Sequence, residues 1–281
     1  MHKNTFKKFF SFLQLVSIFW ICSLSHPASS QTKYDDLPNR PSLKKNNLTK
    51  IDMFCKLGFY YTDSTKALSY FKKAEILSEK ENNPDLTCLI LTKKAFACGK
   101  FGLHKKQKTL KSQIFQQLPQ LKTTSHTAAI YYILGISEND NAKGLEYYFK
   151  GLEIAEEIKD YPEATKLCYS ISGLYGELAK FDFMKQYVSK ARKYAEKART
   201  FDSRIFSDLA SGGYYIGMFQ KTENKKYLDS TIQVYGATKT YVEKYKPEII
   251  FTKQLAYIYI NLANAYSVDN IKITKPNFLN L

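Results

Sequence analysis

Histidine is scarce in this chain: His2 and His26 fall near the N-terminus, and only His104 and His126 lie beyond it. Neither belongs to a His-Glu-x-x-His or comparable ligand spacing, which removes the commonest zinc-hydrolase arrangement. There is no Gly-x-Ser-x-Gly turn to present a serine nucleophile, and no Gly-x-x-x-x-Gly-Lys loop to cradle a phosphate. Adjacent acids such as Glu156 and Glu157 point apart on a helix, so they are expected to be solvated rather than paired as an acid and a base. The sequence therefore names no catalytic residue, no cofactor-binding residue and no metal ligand, and the chain is not expected to be an enzyme.

Arginine is nearly as rare, occurring only at Arg40, Arg192, Arg199 and Arg204. The formal net charge of +16 rests on lysine. Bidentate recognition of phosphates and guanine edges favours the guanidinium fork over the point charge of an ammonium. Scattered lysines are read as solvated helix faces, and no specific nucleic-acid partner is expected.

Of the five cysteines, four lie beyond the expected cleavage site, where export would permit disulfides, and no Cys-x-x-Cys spacing occurs. Cys88 and Cys98 read as one helix, about 15 Å apart at the helical rise, too far for a bond. Cys55, Cys88 and Cys168 take inward positions and are expected to be small buried apolar groups. Alternating Val/Ile/Thr runs bounded by turn residues are missing too, which leaves no sheet to build.

What remains from Thr49 onward is helical period, punctuated by helix starts. Thr62-Asp63-Ser64-Thr65 offers caps before Lys66, Asn82-Asn83-Pro84-Asp85 stops one helix and starts the next, and similar punctuation sits at Ser137 to Asn141. Pro162 and Pro247 stand at first turns, where a missing N–H costs nothing.

The clearest stretch runs from Tyr147 to Ala198. Cys168, Ile171, Ser172 and Tyr175 share one face of a helix, and after a short turn Met184, Val188 and Ala191 share a face of the next. Small Ser172 and Ala191 admit close approach, while Tyr175 and Val188 fill the space between. The second-helix pattern recurs at Ala67, Phe71 and Ala74, at Gly144, Tyr148 and Gly151, and in degenerate form at His104, Lys108 and Lys111, with a period of about 37 to 40 residues. The first-helix pattern returns at Leu209, Gly212, Gly213 and Ile216, and again at Tyr259, Leu262, Ala263 and Tyr266.

This spacing resembles the tetratricopeptide repeat (TPR). The resemblance implies an all-α fold, an α-α superhelix of helical hairpins with about five and a half repeats. The long period is similar to that in the exported N-terminal TPR regions of bacterial TPR-containing histidine kinases and helix-turn-helix regulators.

The N-terminus carries Lys3, Lys7 and Lys8, an apolar run from Phe9 to Leu24, and Pro27-Ala28-Ser29-Ser30. That pattern predicts a signal peptide over 1–30 with cleavage before Gln31, and hence export to the periplasm or beyond. Two competing readings are an uncleaved anchor and a lipoprotein at Cys22, the latter opposed by the bulky Ile21 before it. An exposed leader follows over 31–47, the repeat array over 48–268 and a C-terminal tail over 269–281. No membrane span is expected after cleavage, since the apolar stretch from Ile249 to Ala265 is broken by Lys253 and Gln254 and carries the repeat pattern.

What the resemblance implies about function is a concave groove that holds a protein or peptide, lined by outward residues of each first helix. Counting from the packing positions, these are Lys56, Tyr60, Lys93, Phe96, Lys166, Tyr169, Tyr214, Tyr257 and Asn264. Ammonium groups mixed with rings suit a peptide bearing carboxylates and apolar anchors. The alternative is the sensor region of a TPR-containing histidine kinase or transcriptional regulator, severed from its membrane and output domains.

Overall fold

A computed structural model describes residues 46–245 and 252–268. The signal peptide, the leader before Asn46, the helix start at Lys246-Pro247-Glu248 and the tail lie outside the described residues. Among the described residues there are eleven α-helices and no strand.

The helices follow one another as hairpins: α1 (Asn47–Tyr60) with α2 (Ser64–Glu79), α3 (Pro84–Lys100) with α4 (His104–Gln117), and α5 (Ser125–Ile136) with α6 (Asn141–Glu157). Next come α7 (Tyr161–Glu177) with α8 (Phe181–Ala198) and α9 (Phe201–Thr222) with α10 (Lys225–Tyr245); α11 (Thr252–Val268) opens a sixth unit. Each first helix from α1 to α7 touches the next first helix, forming an inner layer. Second helices pack against their own partner and, except for α4, against the following first helix, forming an outer layer. The array is thus the all-α superhelix of TPR-like hairpins.

Local chemistry sets the helix ends. Asp63 accepts from the Lys66 N–H at 2.6 Å, Asn83 from the Leu86 N–H at 3.0 Å and Asp160 from the Glu163 N–H at 3.1 Å, each satisfying a donor the first turn leaves open. At the other ends a turn residue takes a left-handed conformation, Gly102 after α3 (φ 70°) and Ala179 after α7 (φ 54°). That bend lets Leu103 N–H reach the Cys98 carbonyl at 2.9 Å and Lys180 N–H reach the Tyr175 carbonyl at 2.8 Å, the long bond of a Schellman closure.

The core runs from unit to unit. Its largest continuous cluster joins Ala128 of α5, Tyr148, Leu152 and Ala155 of α6, Leu167, Cys168 and Ile171 of α7, Met184, Val188 and Ala191 of α8, and Ala210 of α9. A repeated device holds hairpins closed: the first helix bares its backbone to a ring from the second. A Cβ at Gly58 would fall 2.6 Å from the Phe71 ring, and the same collision would arise at Gly135 with Tyr148 and at Gly212 with Tyr235. In the fourth hairpin, room for Met184 is made by Gly176, where a Cβ would come within 3.1 Å of the sulfur.

Two helical phases differ from the sequence reading. In α4, His104 and Lys108 are exposed and Lys111 is half-buried, whereas Leu110 and Ile114 are buried. The polar run Lys105 to Lys108 carries no apolar residue to mark the inward face, so the next two aliphatic residues decide it. In α11 the buried residues are Ile258, Asn261, Leu262 and Ala265, while Tyr259, Ala263 and Tyr266 are half-buried. Aromatic residues there ride on the edge of the interface, and the smaller aliphatic chains fill it. The four described cysteines are free and buried, as the inward spacing of Cys55, Cys88 and Cys168 predicted for those three.

Two buried acids tie neighbouring units together. Glu75 of α2 takes the Lys94 ammonium of α3 at 2.6 Å. Asp85, 5% exposed, accepts from the Thr124 hydroxyl at 3.0 Å and the Lys122 N–H at 3.3 Å, fixing the start of α5 to the start of α3.

Candidate functional site

On α7 the buried residues Ala164, Leu167, Cys168 and Ile171 occupy one side of the helix. Glu163, Lys166, Ser170, Gly173 and Glu177 recur at intervals of three and four on the opposite side, and form its open stripe. This stripe faces inward across the superhelix. Desolvation pushes the Asp202 carboxyl of α9 above its usual range, and it is pulled back by Lys56 of α1 and Lys166 of α7.

Lys166 is the centre of the candidate site. Its ammonium pairs with Glu163 Oε2 at 2.6 Å and lies 4.4 Å from the centroid of the Tyr132 ring of α5. Burial works against the charge, but Glu163 and the Tyr132 oxygen outweigh it and hold the Lys166 pKa above the ordinary lysine value. Burial likewise raises Tyr132, opposed by Lys166 and reinforced by Glu163. Beside them the Tyr169 ring packs on Phe206 of α9 at 5.4 Å, and burial, helped by Tyr257 of α11, keeps its phenol protonated. The arrangement offers rings, a paired ammonium and carboxylate, and a length of bare helix at Gly173, where an added Cβ would meet nothing within 4 Å.

The residues named from the sequence divide into groups. Lys56, Lys166, Tyr169 and Tyr257 come together around this centre. Lys56 is also held by Asp52 at 2.6 Å, so both central ammonium groups have carboxylate partners within the chain. Lys93 of α3 lies farther along, where it acts on the Cys55 thiol and on His126 of α5. Asn264 stands half-buried on α11, seven residues beyond Tyr257 and so on the same stripe. Tyr60 and Phe96 are packing residues: Tyr60 meets Tyr61 edge-on at 5.5 Å, and Phe96 meets Phe59 at 6.0 Å against the core of the second and third units. Tyr214 sits apart, packed on the cluster that includes Met184 of α8, tilted on Tyr215 at 5.7 Å and subject to Asp182 and Tyr227 at the starts of α8 and α10.

Sequence reasoning did not single out Tyr132, Glu163, Ser170, Gly173, Asp202 or Phe206. The signal for the α7 members was present, because the complement of the Cys168, Ile171, Ser172 and Tyr175 face is the stripe from Glu163 to Glu177. Asp202 and Tyr132 come from the neighbouring repeats, whose first helices stack against α7.

Two other depressions line the surface. One lies between Gly99, His104, Gln107, Lys111 and Lys143, where Lys111 and Lys143 both pair with Glu138, at 3.3 and 3.8 Å. The other gathers Lys190, Lys193, Lys197 and Arg199 beside Tyr161 and Tyr194, with Lys190 and Tyr194 both engaged by Glu156. No group of His, Cys, Asp and Glu among the described residues could hold a metal ion. No helix among the described residues is long and apolar enough to cross a membrane.

No family model matches the chain, and no curated protein does. Among solved structures the chain is similar to the crystal structure of a Rap protein complexed with competence and sporulation factor, at 16% identity and a TM-score of 0.49, covering 94% of this chain and 74% of that one. A likeness at this level says nothing about what this chain binds.

Proposed function

We propose that the chain is an exported TPR-like scaffold that holds an extended peptide or protein segment in its concave groove and performs no chemistry on it. The observation that carries this reading is the open stripe of α7. A helix whose other side is packed leaves Gly173 exposed and Lys166 and Ser170 half-buried beside the Tyr132 and Tyr169 rings, and Lys56 of α1 and Asp202 of α9 act on the same charges. Rings bind apolar side chains with little entropy to lose, and backbone-width approach at a glycine suits a chain rather than a small molecule.

The nucleophiles available to an enzyme are poorly placed in this fold. Burial pushes the Cys55 and Cys88 thiols up to about 11 and Cys168 up to about 12, which keeps them protonated and inert at neutral pH. The same groove would serve the sensor region of a histidine kinase or transcriptional regulator; that reading differs in what the array is attached to.

The test is affinity capture from a periplasmic extract of the native host with wild type and Gly173→Trp, whose new ring would stand in the groove without entering the core. Polypeptides retained by wild type and lost from the folded variant are the expected outcome. Identical captured sets would remove the groove assignment.

A further inference from the structure

Beside the groove, one carboxylate oxygen has no hydrogen-bond partner among the described residues. Glu163 Oε2 is taken by Lys166, but Glu163 Oε1 is buried and makes no hydrogen bond. The other buried acids do not share this condition: Glu75 holds Lys94, and Asp85 holds Thr124 and Lys122. An unpaired carboxylate oxygen away from water costs about 1–3 kcal/mol, more when charged, so a donor arriving there removes a penalty already present in the free protein. The charge balance points the same way. Lys166 and Lys56 are each matched by a carboxylate, Glu163 and Asp52, and Asp202 adds one more negative charge beside them. Neither of these two ammonium groups is therefore left to draw the acidic partner that the lysines read from the sequence favoured.

Resting on the groove reading above, we propose that the bound segment is an extended peptide with a basic group, a lysine or arginine side chain or a terminal ammonium, donating to Glu163 Oε1. Its backbone then runs along α7 toward Gly173. Ten residues of helix separate Glu163 from Gly173, about 15 Å, which an extended chain spans in about four or five residues. The Tyr132 ring lies against Lys166 at one end of this path, and the bare helix at Gly173 receives the backbone at the other.

The experiment uses the full chain and four fluorescein-labelled hexapeptide pools, randomised except for a fixed central Lys, Arg, Glu or Gln, read by fluorescence anisotropy. Wild type is expected to bind the Lys and Arg pools at least about tenfold more tightly than the Glu and Gln pools, the ratio that one charge-assisted hydrogen bond of about 1.4 kcal/mol supplies. In Glu163→Gln the preference is expected to vanish, and freeing Lys166 should shift it toward the Glu pool. Gly173→Trp should weaken all four pools. Equal binding of the four pools to wild type, with Gly173→Trp still blocking them, overturns the basic-group proposal and leaves the groove reading standing. No binding of any pool, or binding untouched by Gly173→Trp, overturns both. The wild-type comparison decides the proposal even if Glu163→Gln does not fold.

Discussion

Glycine to alanine is one chemical change, yet the structure requires it to stabilise at one place in this array and to bring no gain at another. Gly173 is in mid-helix on α7 with nothing within 4 Å of an added methyl group, so Gly173→Ala gains only the helix preference of alanine, about 0.5–1 kcal/mol. Gly212 is also in mid-helix, on α9, but its Cβ would fall on the Tyr235 ring. Tyr235 is 0% exposed and part of the core with Ile205, Leu209 and Ile258, so the ring cannot swing into solvent. The same gain of about 1 kcal/mol is then set against overpacking of about 1–3 kcal/mol, and Gly212→Ala is expected to be neutral at best and destabilised by about 2 kcal/mol at worst. For a body of this length each kcal/mol moves Tm by about 2–4 °C, so the two variants should melt on opposite sides of wild type or several degrees apart. Thermal and urea unfolding followed by circular dichroism reads the difference. Gly236→Ala, on the outer layer with open space at its Cβ, should behave like Gly173→Ala. If Gly212→Ala is as stabilising as Gly173→Ala, the hairpins are not closed ring-on-backbone and the register of α9 against α10 is wrong.

Other expectations follow from the same packing. Ala191→Leu puts three heavy atoms into a fully buried site between α7 and α8 and should cost about 1–3 kcal/mol in urea unfolding; wild-type stability would show that α8 turns a different face inward. Asp85→Ala should leave the Thr124 hydroxyl and Lys122 N–H without their acceptor and cost about 1–3 kcal/mol, with hydrogen exchange rising first at the start of α5. The buried thiols Cys55 and Cys88 stay protonated in the fold well above the ordinary thiol range, so the folded state retains protons that the unfolded chain has lost. Stability from this source is intact below about pH 9 and falls as pH rises toward 11, and a flat urea midpoint between pH 8.5 and 10.5 would contradict it. Mature protein from the native host should begin at or near Gln31, and an intact mass that retains 1–30 would refute cleavage.

The repeat was legible because packing leaves a period. Cys168, Ile171 and Ser172 on α7, and Met184, Val188 and Ala191 on α8, are buried in the structure as the spacing required. Helix starts were legible for the same local reason: Asp63 and Asn83 each cap through a side chain that reaches three residues onward, and Pro162 marks the start that Asp160 caps. Legibility failed where the inward face is polar, as in α4, where Gln107 lies at the position whose tip meets Gly99. It failed also in α11, where large rings outside the interface outweighed the aliphatic residues within it.

The groove was harder to read because its residues are defined by what they do not touch. Counting outward from the packing positions found Lys166, but the same count gave Phe96, Tyr169 and Tyr214, whose rings also pack on the core clusters. Charge was the more misleading signal. A lysine in the sequence carries no mark of its partner, and Asp52 and Glu163 lie four and three residues before Lys56 and Lys166, on the same helical face. Once those pairs are drawn, two of the three lysines counted as anion sites become neutral couples, and Glu163 Oε1 is left as an acceptor with no hydrogen-bond partner among the described residues. The sign of the partner thus turns on short-range pairing within α1 and α7, while the place of the groove turns on the packing of α5, α7 and α9 as neighbouring first helices.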